Sequence, residues 1–534
     1  MNAKLTLGLL SLLVGLNACS RQSNNQTHPQ NSLRVDLVAD INTTDPQKVN
    51  DQYAYRVLND SFEGLLDLNQ SNQPIPGMAI EWKVSTDKLV YTFNLRHDLK
   101  FSDGTPIRAK DFVYSWQRLV DPKTAAAYAF ILQNLQNAPA IMTGKATPNQ
   151  LGIKALDDYT LQVNLSQADP AFLNKAALIV TTALESAVIN KFADQWSDPK
   201  HIVTTGAYKL DSRIVNGTIK ALKNPYYYNA PEVKIAQVEY TAHTDRNSAL
   251  AAYETGNLDI TANVPIDQYN SIKANFGKQL NTVQNEGFAY YSINTQLAKF
   301  KDVRVRQALS MVVDRKILAN NILAAGQFPM YSYVTPTLED GEYGSIIYDW
   351  TNQPYTEQVS AAQQLYAAAG YSEKHPLEVT LSYSNNDESK KVALAIAAMW
   401  SKALGVKVTV ANYEWKVFIN NRKNGAFEIA RNSWGADYNF ITTYTPLYSC
   451  NTGENVSRLC LPLVDKLFAH AALENNSELQ QQEYAQGLKL AMEQYGIIPL
   501  YQNSYTTLVK PYVDGLDLNT NSLNLVQSKW ISFQ

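Results

Sequence analysis

Residues 376–410 read PLEVTLSYSNNDESKKVALAIAAMWSKALGVKVTV. Leu377, Val379, Leu381 and Tyr383 alternate along the chain, the period-2 mark of a strand with one buried face. From Lys390 to Ala403, the residues Val392, Ala395, Ile396, Met399 and Trp400 fall on one face at helical spacing, and Gly405 stops the helix. Val406, Val408 and Val410 then make a second strand. Outward from this core, Glu357 to Ala369 reads as a helix ended by Gly370, Trp415 to Arg422 as a short helix, and Phe427 to Arg431 as a third strand. Strand, helix, strand, helix, strand implies a parallel α/β sheet with right-handed crossovers. Ligands of open parallel sheets sit at the carboxyl ends of the strands. Those ends are Ser384–Ser389, Asn412–Trp415 and Arg431–Asp437, and the sequence predicts that they converge on one cleft.

Further upstream, Leu89, Tyr91, Phe93 and Leu95 alternate as a strand, and Asp103-Gly104-Thr105-Pro106 is a turn. Ala109, Phe112, Val113 and Trp116 follow at helical spacing. At the amino terminus, Lys4 precedes an apolar run from Leu5 to Leu16, too short to span a bilayer of about 30 Å but suited to a signal peptide. Leu16-Asn17-Ala18-Cys19 looks like a bacterial lipobox, with Cys19 as the lipidated residue; a secreted protein cleaved nearby is the alternative. Either reading places the mature chain outside the cytoplasm. Residues 20–32 are polar and read as a flexible tether.

The chain has 534 residues, room for several domains, and a net charge of −3, which excludes a generally basic nucleic-acid binder. Its 32 tyrosines outnumber 16 Phe and 8 Trp. Tyrosine suits adaptable recognition surfaces, and ordinary β-structure uses it as well. Beyond Cys19 there remain Cys450 and Cys460, a close pair that reads as a disulfide in an oxidising compartment or as two buried thiols. No Cys/His cluster, GxSxG elbow, HExxH, P-loop or GxGxxG is present, so neither a zinc site nor a nucleophile motif points to catalysis.

Three long segments carry a resemblance. Trp82 to Pro122 reads WKVSTDKLVYTFNLRHDLKFSDGTPIRAKDFVYSWQRLVDP, Phe300 to Arg315 reads FKDVRVRQALSMVVDR, and Phe427 to Tyr438 reads FEIARNSWGADY. With the shorter VTTGAYK (Val203–Lys209), YAAAGY (Tyr366–Tyr371) and LVKP (Leu508–Pro511), they resemble, in order, the extracellular solute-binding proteins of the oligopeptide and dipeptide class, the binding components of ABC importers. The oligopeptide branch is the best match. The resemblance implies an α/β, two-lobed periplasmic-binding-protein-like fold, with mixed sheets flanked by helices and an extra third domain. It implies a first lobe from 33–62, 187–286 and 505–534, an extra lobe at 63–186 and an opposing lobe at 287–504.

The resemblance also implies roles. Asp437 matches the position that salt-bridges a peptide's α-amino group, and Arg431 and Arg422 match cations used for its carboxylate, where the planar guanidinium fork suits two oxygens. Trp415 and Trp434 match walls of side-chain pockets, and Tyr128, Tyr291 and Tyr501 fall at similar cleft positions. Each has a plainer reading: a turn Asp, structural ion pairs, core aromatics. Ser389, Asn50 and Ser292 depart from residues that some members carry, so ligand length and side-chain preference do not transfer. Gly287 and Gly435 stand where some members have cysteines, while the Cys450–Cys460 pair resembles one in dipeptide-type members. The implied partners are an oligopeptide ligand, the permease and ATPase subunits of an ABC importer, and a membrane reached through lipid on Cys19. The implied protein is a monomeric, non-enzymatic receptor without cofactor, metal or nucleic acid, held at the extracytoplasmic face of the envelope. Receptors for dipeptides, cell-wall peptides or a metal chelate are rivals within the class; an extracytoplasmic hydrolase or an envelope chaperone or adhesin are rivals outside it.

Overall fold

The computed structural model describes residues 31–534 except 50, 385, 386, 451 and 520, and leaves aside the side chains of 387, 415 and 416. The signal-peptide and lipidation readings, Cys19 included, and Asn50 therefore lie outside the described residues, as do the first eleven positions of the tether, 20–30. Ser32, assigned above to the tether, already opens the strand Ser32–Leu37, because it pairs with Gln237.

Three main sheets organise the chain. The first has the order Ser32–Leu37, Gln237–Ala242, Thr218–Lys223, Tyr208–Arg213, with its first pair parallel and the others antiparallel. The second is an antiparallel sheet of Ala79–Val84, Val90–Leu95, Thr160–Asn164 and Ile153–Ala155. In Val90–Leu95, Tyr91, Phe93 and Leu95 are buried and their neighbours half-buried, as the alternation requires. The helix Ala109–Val120 covers this sheet with Phe112, Trp116 and Leu119. Asp111 caps its start by accepting from the backbone N–H of Arg108 at 2.8 Å, and the Trp116 indole donates to the Thr181 carbonyl at 2.8 Å. Sealing such an indole away from water stabilises by roughly 2–3 kcal/mol.

The third sheet contains the expected parallel trio, ordered Ile429–Gly435, Glu378–Ser384, Lys407–Tyr413. Antiparallel strands extend it: Leu280–Ile293 beside Ile429–Gly435, then Ile497–Leu508, then Phe328–Pro329. Two boundaries differ from the sequence reading. The helix after the first parallel strand begins at Asp387 rather than Lys390, with acidic residues in its first turn, where the helix dipole favours them. The strand expected at Phe427–Arg431 runs instead over Ile429–Gly435, because Leu280–Ile293 supplies ladder partners as far as Gly287 opposite Gly435. Cys450 and Cys460 are joined by a disulfide.

The first two sheets share one continuous core, from Leu33 and Tyr240 through Phe93 to Trp116 and Leu161, whereas the third has a core of its own around Phe288, Leu381, Trp400 and Ile498. The strands Leu280–Ile293 and Ile497–Leu508 run between them. Near Leu280 and Leu508 they pack on the small cluster of Ala249, Tyr253 and Leu258; from Phe288 and Ile498 onward they belong to the third core. Their pairing is irregular between Gln284 and Phe288. The fold is thus α/β, with two lobes joined by crossing strands and an extra domain fused to the amino-terminal lobe.

Candidate ligand-binding cleft

Three cavities lie between the lobes, of about 1110, 220 and 190 Å³. The first and second share Tyr53, Asn263 and Ser504, and the second and third share Gln52, Arg56 and Asn285, so they form one cleft. The helix Gln52–Ser61 and the loops near 244–247 and 260–267 make one wall. The carboxyl end of the parallel trio makes the other, through Ser384, Ser389, Arg431 and Ser433.

Asp437 borders the third cavity, two residues beyond the strand Ile429–Gly435. Its loop is fixed by the backbone: the N–H of Ala436 donates to the Glu286 carbonyl at 2.6 Å, and that of Asp437 to Thr443 Oγ1 at 3.1 Å. The Tyr128 hydroxyl, from the extra domain, donates to Asp437 Oδ1 at 3.4 Å. Burial pushes the Asp437 carboxyl up to about 6, against the smaller opposing effects of Tyr128 and Lys175. Lys175 is itself paired with Asp169 at 2.7 Å. Among the described residues no cation stands within ion-pair distance of Asp437.

At the other end, Arg431 is 8% exposed and borders the largest cavity. Its Nη2 donates to the Tyr501 hydroxyl at 2.8 Å; that hydroxyl donates to Glu388 Oε1 at 2.6 Å; and Glu388 Oε1 lies 3.5 Å from Arg431 Nη2. Arg422, on the helix Trp415–Asn424, borders the same cavity, and its buried Nε has no partner. Burial pulls the Arg422 guanidinium down, and the nearby Arg431 charge adds to that.

The cleft therefore gathers Asp437 with Tyr128 at one end and Arg431, Arg422 and Tyr501 at the other. Two expected wall residues fall elsewhere. Tyr291 lies on the strand Leu280–Ile293 opposite Arg431 in the ladder, and it is fully buried. Trp434 lies inside the lengthened strand opposite Phe288, packs on the third core and borders none of the three cavities. The side chain of Trp415 lies outside the described residues. Sequence reasoning missed Glu388, although it lies in the strand-end segment Ser384–Ser389; it also missed Tyr53, Arg246 and Asn263 on the facing wall, which no periodicity marks. No group of three or more His, Cys, Asp or Glu side chains suited to a metal occurs among the described residues, and no described helix is long and apolar enough to cross a membrane.

Residues 73–455 match the bacterial extracellular solute-binding proteins, family 5 Middle. The chain is 37% identical to the periplasmic oligopeptide-binding protein OppA of Salmonella typhimurium over 484 residues, covering 89% of this chain and 88% of that one. It is 35% identical to the probable deoxycholate-binding periplasmic protein YgiS of Escherichia coli, covering 98% of each. Among solved structures it resembles the unliganded open form of the periplasmic murein tripeptide binding protein MppA, with a TM-score of 0.86, 34% identity, and coverage of 95% of this chain and 98% of that one. With a cleft between two lobes, an extra domain and a family match over most of its length, the chain belongs to the bacterial extracellular solute-binding proteins of family 5.

Proposed function

We propose that the protein captures short peptides with a free amino terminus in the interlobe cleft and hands them to the permease of an ABC importer. The observation that carries this reading is Asp437: a carboxyl held largely out of water, facing a cavity, with a phenol beside it but, among the described residues, no cation within ion-pair distance. A buried carboxylate without a counter-ion is costly, and an incoming ammonium supplies what is missing. Arg422 and Arg431, at the far end of the same cleft, suit a carboxylate. Tyr128 and Tyr501 flank the two charged ends as hydrogen-bonding walls. Between them, exposed ladder groups and water accommodate differing side chains. A deoxycholate-like ligand carries an anion but no amine, so it would leave Asp437 unmatched; this favours a peptide.

The proposal includes the three-part division 33–62 with 187–286 and 505–534, 63–186, and 287–504. It also includes attachment to the envelope by lipid on Cys19, retention at the extracytoplasmic face, and a binding role without catalysis. Calorimetry with mixed di- to pentapeptides and with deoxycholate tests the reading. One-to-one binding of peptides with a free amine, abolished by N-acetylation, is the expected result. Binding of deoxycholate alone, or appearance of cleaved products by mass spectrometry, would overturn it.

A further inference from the structure

Glu388 is the second residue of the helix Asp387–Leu404, and its side chain is 46% exposed. It reaches from that solvent-facing turn to Tyr501 and Arg431, both of which are more than nine-tenths buried. The buried guanidinium at the cationic end of the cleft is thus already matched by a carboxylate of its own chain. Arg422 borders the same cavity and differs: among the described residues no acid lies within ion-pair distance of it, whereas both guanidinium groups leave their buried Nε unmatched. A carboxylate entering this cavity meets one occupied guanidinium and one open one.

We infer that Glu388 is the specificity-determining residue of this end, standing in for a ligand carboxylate on Arg431 and so directing the ligand's own carboxylate to Arg422. This rests on the peptide reading above. Because Glu388 is half exposed, its contact with Arg431 is partly screened by water and is weak enough to exchange. Replacing it with glutamine removes the competing charge, keeps the side-chain length and frees Arg431 as a second anion receptor.

The test is calorimetry with one tripeptide as the free acid and as the carboxy-terminal amide, on the native protein, Arg422→Gln, Glu388→Gln and the double variant. The native protein should prefer the acid, and Arg422→Gln should erase most of that preference. Glu388→Gln should tighten the acid roughly two- to fivefold and leave the amide unchanged. The double variant should regain the preference, because Arg431 is then open. A double variant as indifferent as Arg422→Gln, or a Glu388→Gln that leaves the acid-to-amide ratio unchanged, would overturn this role while leaving peptide binding intact. If neither form of the tripeptide binds any of the four proteins, the peptide reading falls, and this inference with it.

Discussion

At one end of the cleft a carboxyl group, Asp437, has a phenol at 3.4 Å and, among the described residues, no cation within ion-pair distance. At the other end a more deeply buried guanidinium, Arg431, has a phenol at 2.8 Å and a carboxylate at 3.5 Å. Both charges sit on one stretch of chain, six residues apart, Arg431 inside the strand Ile429–Gly435 and Asp437 just past it. Burial acts on both, and of the two only Arg431 meets an opposite charge from its own chain. The contrast separates a charge that helps hold the empty protein together from one that is left waiting. Asp437 costs the empty protein stability in its ionised form, and that cost is what a ligand's ammonium relieves.

The sharpest way to break this contrast is Asp437→Asn. Affinity for peptides with a free amine should fall by roughly a hundredfold or more, as for any buried pair that loses one partner. N-acetylated peptides should give no binding heat with either protein in calorimetry. The melting temperature of the empty protein at pH 7.5 should hold or rise, since a burdened carboxylate has been removed. A marked fall in melting temperature would mean that Asp437 already had its partner.

Acidity gives the next largest effect. The raised carboxyl of Asp437, at about 6, is protonated below that pH and cannot match an ammonium. Peptide affinity should therefore hold above pH 7 and weaken as pH falls through 6, by roughly tenfold at pH 5. The stability of the empty protein should run the opposite way: a carboxyl whose folded value is raised favours the folded state at low pH, and that contribution is lost as pH rises through about 6. Calorimetry across pH 5–8, repeated with Asp437→Asn, should show the slope in the native protein and a flat line in the variant.

Tyr128→Phe should have the smallest effect. It removes one hydrogen bond to the ionised carboxylate, worth roughly 0.5–1.5 kcal/mol, so affinity should drop only severalfold. Because that bond holds the Asp437 value down, its loss should move the midpoint of the pH profile upward. A downward shift would show that the phenol does not donate to Asp437.

What could be read from the sequence follows from how local each signal is. The strand Glu378–Ser384 and the helix behind it were legible because their periodicities are written in consecutive residues, and Arg431 and Ser389 came with them as strand-end residues, whereas Arg422, on a helix, came only from the family resemblance. The true end of the strand at Gly435 was not legible, since it depends on ladder partners near Gly287, far away in the chain. That longer strand turned Trp434 onto the core instead of the cleft. The facing wall gave no local signal at all: Tyr53, Arg246 and Asn263 come from separate segments and meet only through the fold. Glu388 looked like any acid at a helix start, and its role appears only once Tyr501 is brought beside it.

The core shared by the first two sheets has a mechanical corollary. Tyr128 is welded to the amino-terminal half and Asp437 to the carboxy-terminal half, so their separation is a gauge of how far the molecule is open. Flexing at the irregular pairing between Gln284 and Phe288 can swing one block against the other without exposing either interior to water. Such a swing leaves both interiors packed and parts only the few contacts that bridge the gap, among them Tyr128 with Asp437 and the Asn439 amide with the Ser71 carbonyl, so whatever occupies the gap weighs directly on the posture.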